Sequence, residues 1–265
     1  DKRSLIFFPA FDWNSADGFM AGMAIHNGIL IPKPVEYFVI PFYSFRNPSL
    51  TGYGKISINE TPYNNFIRLA TLSLEGSQFG APGNHDYQNV KVGLDLFFRP
   101  DKMINPVSQK VFGYYIAASD LPQIELITKA KIRSYLQFGY LMERTGIINP
   151  FNMTVFFESG RSFQKASLEF NYKYSYYGMN NGLEIRIFTG TMLKNDSADP
   201  FYAYSASGRG GREQYLFQGV YPDRFSEFPK TFWSRQMTLS EGGLVTPVND
   251  SLGYSRWICS LSITS

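Results

Sequence analysis

Few residues of this chain have the side chains needed for acid–base, nucleophilic or metal chemistry. The 265 residues include two histidines and one cysteine. His26 ends an apolar stretch and His85 lies in a turn-like Gly-Asn-His-Asp sequence, and neither belongs to a His-Glu-x-x-His motif. Zinc sites need three or four such ligands, and a lone Cys259 forms no internal disulfide. We therefore assign no catalytic, cofactor-binding or metal-binding residue to this chain.

A glycine- and arginine-rich segment at residues 207–212 resembles a phosphate-binding loop at first sight. It lacks the Lys-Ser/Thr ending of such a loop, and no helical pattern follows it. We interpret Arg209 and Arg212 as lumen-facing residues of a kinked strand, because glycines inside strands often mark such bends. The net charge of +3 is small and the basic residues form no stripe, so we exclude nucleic acid as a partner.

Several groups of charged residues are predicted to form charge ladders inside the barrel. Glu158 with Arg161 and Glu184 with Arg186 are two such groups, and both members of the second are expected to face a lumen. A third candidate joins residues 131, 133 and 143. These groups are interpreted as structural charges, because no catalytic triad can be assembled from them.

The elements that would position these residues are strands, and residues 167–176 show the pattern most clearly. Side chains of a strand point alternately to opposite faces. One face of this segment is predicted to meet lipid: Leu168, Phe170, Tyr172, Tyr174 and Tyr176. The opposite face is predicted to line a lumen, with Glu169, Asn171 and Lys173 as its polar residues. The length suits a tilted strand that crosses a hydrocarbon core.

Similar segments recur along the whole chain, which predicts an all-β protein of about 13 strands. Aromatic residues make up 17% and charged residues 18% of the chain, against about 25% charged in average soluble domains. Many segments reach ten residues, whereas strands of soluble sandwiches typically have about five or six. We expect one antiparallel up-and-down transmembrane β-barrel over residues 1–265, with short turns alternating with longer loops. A soluble β-sandwich remains the alternative fold.

One region resembles the C-terminal barrel region of large outer-membrane proteins from Bacteroidota-type bacteria. The most specific part is Asn14-x-x-Asp17-Gly18-Phe19-Met20-x-Gly22. Segments 8–14, 40–44 and 52–57 support the same resemblance. Members of that family carry an aminopeptidase-N-like (gluzincin) zinc peptidase domain ahead of the barrel. The resemblance implies that the zinc ligands lie upstream of this chain, which would then be a piece of a longer polypeptide.

These observations predict an outer-membrane anchor and scaffold for an upstream zinc aminopeptidase domain. The complete barrel is expected to have about 14 to 16 strands. The expected partners are outer-membrane lipid and other outer-membrane or periplasmic proteins, and zinc is expected only in the upstream domain. Two alternatives stay open: a pore, uptake or assembly barrel without a peptidase, and a soluble β-rich binding module.

Overall fold

The computed structural model describes the chain as strands joined by turns. The described residues are 5–14, 17–28, 33–63, 66–81, 85–100, 106–119, 132–176, 182–195, 202–205, 241 and 254–264. The strands are β1 (Ile6–Asn14), β2 (Gly18–His26), β3 (Val35–Ser44), β4 (Ser49–Glu60), β5 (Ile67–Ala81), β6 (His85–Phe98), β7 (Ser108–Ser119), β8 (Ile132–Arg144), β9 (Phe151–Ser159), β10 (Phe163–Ser175), β11 (Gly182–Asn195), β12 (Tyr204–Ser205), β13 (Tyr254–Ser255) and β14 (Trp257–Thr264). Within the described residues, no helix is long and apolar enough to cross a membrane.

Twelve strands form one antiparallel sheet in which almost every strand pairs with its neighbours in sequence. The order is β1 through β11 followed by β14, and β12 pairs with β13 in a separate two-stranded sheet. The prediction of an all-β, antiparallel, up-and-down architecture is confirmed. The sheet is open, with β1 and β14 at its edges. Parts of the segments predicted as strands at residues 202–217 and 232–239 lie outside the described residues.

Residue alternation gives this sheet two chemically different faces. Residues directly opposite each other on antiparallel strands share a face, so the pairing register carries one face from strand to strand. We call the face that bears Glu75, Lys91, Glu158 and Lys165 the inner face. The outer face carries the alternate residues, for example Leu72 on β5 opposite Leu94 on β6.

The strands are progressively staggered across the sheet. A line of direct cross-strand partners starts near the end of β4 and reaches the first residue of β14. It runs through Ile58, Leu72, Leu94, Gly113, Phe138, Phe157, Ala166, Thr191 and Trp257. The line therefore starts near the last residue of β4 and ends at the first residue of β14, so neighbouring strands are offset along their length. Strands that close into a barrel need a stagger of this kind.

The connections differ in length between the two ends of the sheet. The connections after β1, β3, β5 and β9 have three or four residues, and the strand ends that they join define what we call the tight-turn end. The connections after β2, β4, β6, β8 and β10 have six to nine residues, and they join strand ends at the opposite, wide-turn end. The two longest connections, after β7 and after β11, join strand ends at the tight-turn end. The expected alternation of short turns with longer loops therefore does not divide the two ends cleanly.

Candidate functional site

The outer face is apolar on every strand of the large sheet. Large hydrophobic side chains are exposed on all twelve strands, among them Phe11 (67%), Leu50 (72%) and Leu74 (50%). Monomeric soluble proteins rarely expose apolar patches of more than a few hundred Å². An apolar surface that extends across twelve strands therefore requires an apolar environment or a covering partner.

Aromatic rings on the outer face cluster near the strand ends. At the tight-turn end, the ring centroids of Phe11 and Phe19 are 6.0 Å apart and those of Phe19 and Phe45 are 5.8 Å apart. At the wide-turn end, Phe66 and Phe98 approach to 4.9 Å. Transmembrane barrels carry aromatic girdles at both membrane interfaces, and this distribution is consistent with that arrangement.

The structure places the residues of the 167–176 segment on the two faces in the way the alternation indicates. Leu168, Phe170, Tyr172 and Tyr174 lie opposite outer-face residues of β11. Tyr176 follows the end of β10, where its ring contacts that of Tyr174 at 5.7 Å. Glu169, Asn171 and Lys173 lie on the inner face with Glu184 and Arg186 of β11. Whether these faces meet lipid and a lumen remains a prediction.

Ion pairs on the inner face join neighbouring strands. Glu75 on β5 pairs with Lys91 on β6 at 3.0 Å, and Asp95 on β6 pairs with Lys110 on β7 at 3.0 Å. Tyr114 connects the two pairs, because its hydroxyl donates to Asp95 Oδ1 at 2.7 Å and its ring lies 5.2 Å below Lys91 Nζ. These contacts form a continuous polar network across three strands.

The ion pairs of these charged residues join neighbouring strands. Glu158 is 3.9 Å from Lys165, whereas Arg161 is exposed in the turn that follows β9. Glu184 pairs with Lys173 at 3.0 Å, and Arg186 pairs with Glu169 at 2.8 Å. Residues facing each other across strands are about 4.5–5.5 Å apart at Cβ, closer than residues two positions apart on one strand. The charges are therefore matched across strands. Of the third candidate group, residue 131 lies outside the described residues.

A buried polar cluster lies on the inner face near the tight-turn end. Lys165 Nζ contacts both carboxylate oxygens of Glu241 at 2.8 and 2.9 Å, and Gln137 Nε2 donates to Glu158 Oε2 at 2.7 Å. Glu158 is fully buried and Lys165 is almost so. Burying charged groups costs free energy unless they are paired and hydrogen-bonded. Glu241 belongs to the connection between β11 and β14, so this connection reaches the inner face.

Two tyrosines of the same connection pack on the inner face. Tyr202 stacks on Phe163 with 4.4 Å between ring centroids, and Arg133 donates a hydrogen bond to its hydroxyl. The hydroxyl of Tyr204 donates to the backbone carbonyl of Ala166 at 3.1 Å. We call residues 202–205 together with Glu241 the inserted residues. They fill the inner side of the sheet around β8 to β11 at the tight-turn end.

One of the inserted residues, Tyr202, is part of the main hydrophobic core. Tyr202 belongs to a cluster of buried side chains from β5, β6, β7, β8 and β10: Phe79, Tyr87, Ile116, Ala118, Tyr135 and Phe163. Side chains of five strands and Tyr202 thus form one buried cluster on the inner face. This core was not predicted, since residues 202–217 read as a further strand and the insertion leaves no periodic signal.

The remaining sequence candidates offer no additional chemistry. His26 Nδ1 is 2.6 Å from the carbonyl oxygen of Gly28, next to the end of β2. Arg209 and Arg212 lie outside the described residues. Within the described ranges, no group of three or more His, Cys, Asp or Glu is placed to hold a metal ion. The inner face is thus a surface of paired charges and aromatic rings with no assembled catalytic centre among its described residues.

The chain was compared with protein-family models, with curated proteins and with solved structures. None of these comparisons found a match. The functional interpretation therefore depends on the two faces of the sheet, the inserted residues and the resemblance of the segment that begins at Asn14.

Proposed function

We propose that this chain is a bacterial outer-membrane β-barrel that anchors and scaffolds an upstream domain. The observation that carries the proposal is the contrast between the faces: apolar side chains are exposed on all twelve strands, and paired charges lie on the opposite face. A transmembrane barrel presents this combination, with an apolar band toward lipid and a polar interior.

The geometry of the sheet supports closure into a barrel. In lipid, the unpaired backbone groups of an open edge each cost several kcal/mol, so β1 and β14 need a pairing partner there. With twelve alternating strands, the first and the last run antiparallel, which is the orientation that direct pairing of these edges requires. The stagger of the strands fits the same closure. The twelve strands are fewer than the 14 to 16 or so predicted from sequence for a complete barrel.

An anchor is favoured over a pore because the interior is partly filled. The inserted residues cover the inner face of β8 to β11 through a buried ion pair and stacked rings. Open porins keep a water-filled channel, whereas other barrels are plugged by loops. The proposed anchored domain is a zinc aminopeptidase, and this part of the proposal is supported by the resemblance around Asn14, Asp17 and Gly18 alone.

The proposal is tested by the behaviour of the full-length protein in cells and on gels. We expect it in the outer-membrane fraction, with an electrophoretic mobility that changes on heating, because folded barrels resist unfolding by detergent. A protein that is monodisperse without detergent contradicts the barrel. The anchored domain is tested separately, by a His-Glu-x-x-His motif upstream of residue 1 in the encoding gene and by zinc-dependent aminopeptidase activity of the full-length protein.

A further inference from the structure

A pocket on the inner face of β1 to β6 lies beside the inserted residues. Its cavity volume is about 80 Å³, and it is partly open to solvent. Its polar lining includes Asp12, Asn14, Thr51, Gln78 and Asn89. Its less polar walls are formed by Met20, Phe42, Tyr53 and Phe79. Small-molecule sites typically combine apolar walls with a few convergent polar groups in this way.

One charged side chain in this pocket has no ion-pair partner among the described residues. Three charged side chains line it, and Glu75 and Lys91 neutralise each other at 3.0 Å. Asp12 is partly buried, and its only hydrogen-bond partner among the described residues is the backbone N–H of Trp13 at 2.7 Å. A buried carboxylate is normally paired with a cation. The pocket therefore presents one carboxylate, that of Asp12, that forms no ion pair with a described side chain.

A second carboxylate without a described ion pair lies at this end of the sheet. Asp17 is fully buried in the turn between β1 and β2. Its Oδ2 accepts hydrogen bonds from Asn14 Nδ2 at 2.8 Å and from the N–H of Gly80 at 2.7 Å. These donors are neutral, so the charge of Asp17 also lacks a counterion among the described residues. Carboxylates without an ion-pair partner favour a cation over an anion or a neutral molecule as the ligand.

The same hydrogen bonds make the pocket pre-formed. Asp17 joins the β1–β2 turn to Gly80 on β5, across two intervening strands. The N–H of Asp17 also donates to Asn14 Oδ1 at 2.6 Å, and Ser44 Oγ donates to the carbonyl of Asp17 at 2.8 Å. Asn14, which lines the pocket, is thereby held in place. A rigid wall lowers the entropy that a ligand must lose on binding.

We propose that this pocket binds a small organic cation, with its ammonium group on Asp12 and its apolar part against Phe42 and Phe79. The aromatic rings favour an organic cation over a metal ion, because they contribute no ligand atoms to a metal and offer a surface on which the apolar part of an organic cation packs. The pocket is present in the sheet whether or not the sheet closes in a membrane, so the proposal stands apart from the anchoring role.

The test uses the purified full-length chain and two matched probes. Phenethylammonium carries the charge, and phenethyl alcohol has the same ring without it. Titration followed by ligand-observed NMR is expected to show saturable binding of the amine, weakened roughly tenfold or more by Asp12→Asn, since hydrogen bonds to charged groups are of this strength. The control Asp95→Asn removes an inner-face carboxylate outside the pocket and is expected to leave amine binding unchanged.

Three outcomes overturn the proposal. The first is equal affinity of the amine for the Asp12→Asn and unsubstituted proteins. The second is equal affinity for the alcohol and the amine, which would make the pocket merely apolar. The third is an absence of saturable amine binding by the folded protein. None of these outcomes bears on membrane insertion, which heat-modifiable mobility reports independently.

Discussion

Lys165 on β10 forms a buried ion pair with Glu241, which is 76 residues away along the chain, with 2.8 Å between Nζ and Oε1. Lys165 Nζ also lies 3.9 Å from Glu158 on β9. One lysine thus stands between a carboxylate of the sheet and a carboxylate of the inserted residues. The ion pair with Lys165 therefore holds Glu241, and with it this part of the β11–β14 connection, on the inner face.

Removal of this lysine is expected to destabilise the protein strongly. Lys165→Ala leaves Glu158 and Glu241 buried without their shared cation, and breaking a buried pair in this way typically costs about 3–5 kcal/mol. Lys173→Ala is the matched control, because its partner Glu184 is 60% exposed and exposed pairs contribute about 0–1 kcal/mol. Urea unfolding in lipid vesicles measures both free energies, and equal losses would contradict the buried role of Lys165.

Arginine substitutions on the outer face are expected to depend on position along the strand. Leu74 lies at the middle of β5 and Tyr174 near the end of β10. Arginine facing lipid costs about 2–4 kcal/mol at the membrane midplane and about 0–1 kcal/mol near the interfaces. Leu74→Arg should therefore reduce the free energy of unfolding in vesicles far more than Tyr174→Arg. A larger effect at Tyr174 would place the membrane midplane elsewhere on the sheet.

A methyl group at Gly80 is expected to disturb the hydrogen bond by which Asp17 joins the β1–β2 turn to β5. A Cβ at this position would lie 2.3 Å from Asp17 Oδ1, whereas a Cβ at Gly54 meets no atom within 4 Å. Gly80→Ala should reduce the free energy of unfolding by roughly 1–3 kcal/mol, the usual cost of overpacking. Gly54→Ala is the control. The same free energy of unfolding for the two variants would show that Asp17 does not restrain this turn.

Displacement of the inserted residues is expected to open the interior. A Cβ at Gly190 would lie 2.6 Å from Cζ of Tyr204, so Gly190→Val competes with that ring for its place on β11. In liposome-swelling assays with a small sugar, we expect slow entry for the unsubstituted protein and faster entry for Gly190→Val. Gly54→Val serves as the control on the outer face. Equally rapid entry for the unsubstituted protein and Gly190→Val would favour the pore.

The local pattern of the sheet was predictable, because a strand with two different faces needs residues of alternating polarity. Residues 167–176 illustrate this: their alternation indicates both the strand and the partition of Leu168 from Glu169. The stretches that contact residues distant in sequence were not predictable. Lys165 with Glu241 and Asp17 with Gly80 are 76 and 63 residues apart along the chain, and neither pair leaves a periodic signal. The partners within the charge ladders were not predictable either, because they follow from the register between strands, which pairs Glu184 with Lys173 and Arg186 with Glu169.

The pocket near Asp12 was also not predictable from the sequence. Its lining comes from six strands, and the spacing of these residues in the sequence resembles that of any other polar positions on inner faces. The charge imbalance of Asp12 becomes apparent only when the pairing of Glu75 with Lys91 is known. Sequence alternation alone therefore identifies the inner face but does not distinguish a binding pocket from structural charge.

Closure of the sheet is the central claim, and the natural Cys259 provides its most direct test. Cys259 is exposed on the edge strand β14 and shares the outer face with its partner Thr189. In a closed barrel β1 lies beside β14, within the roughly 4.4–6.8 Å between Cα atoms that a disulfide requires. Single variants Phe7→Cys, Phe11→Cys and Trp13→Cys place a second thiol on the outer face of β1.

Oxidation of these variants in outer membranes, followed by non-reducing electrophoresis of the denatured chain, shows whether the two edges meet. We predict an intramolecular disulfide with Cys259 in at least one outer-face variant, and none in the inner-face control Ala10→Cys or after Cys259→Ser. Correctly inserted protein in which none of the three outer-face variants cross-links within the chain would contradict closure between β1 and β14.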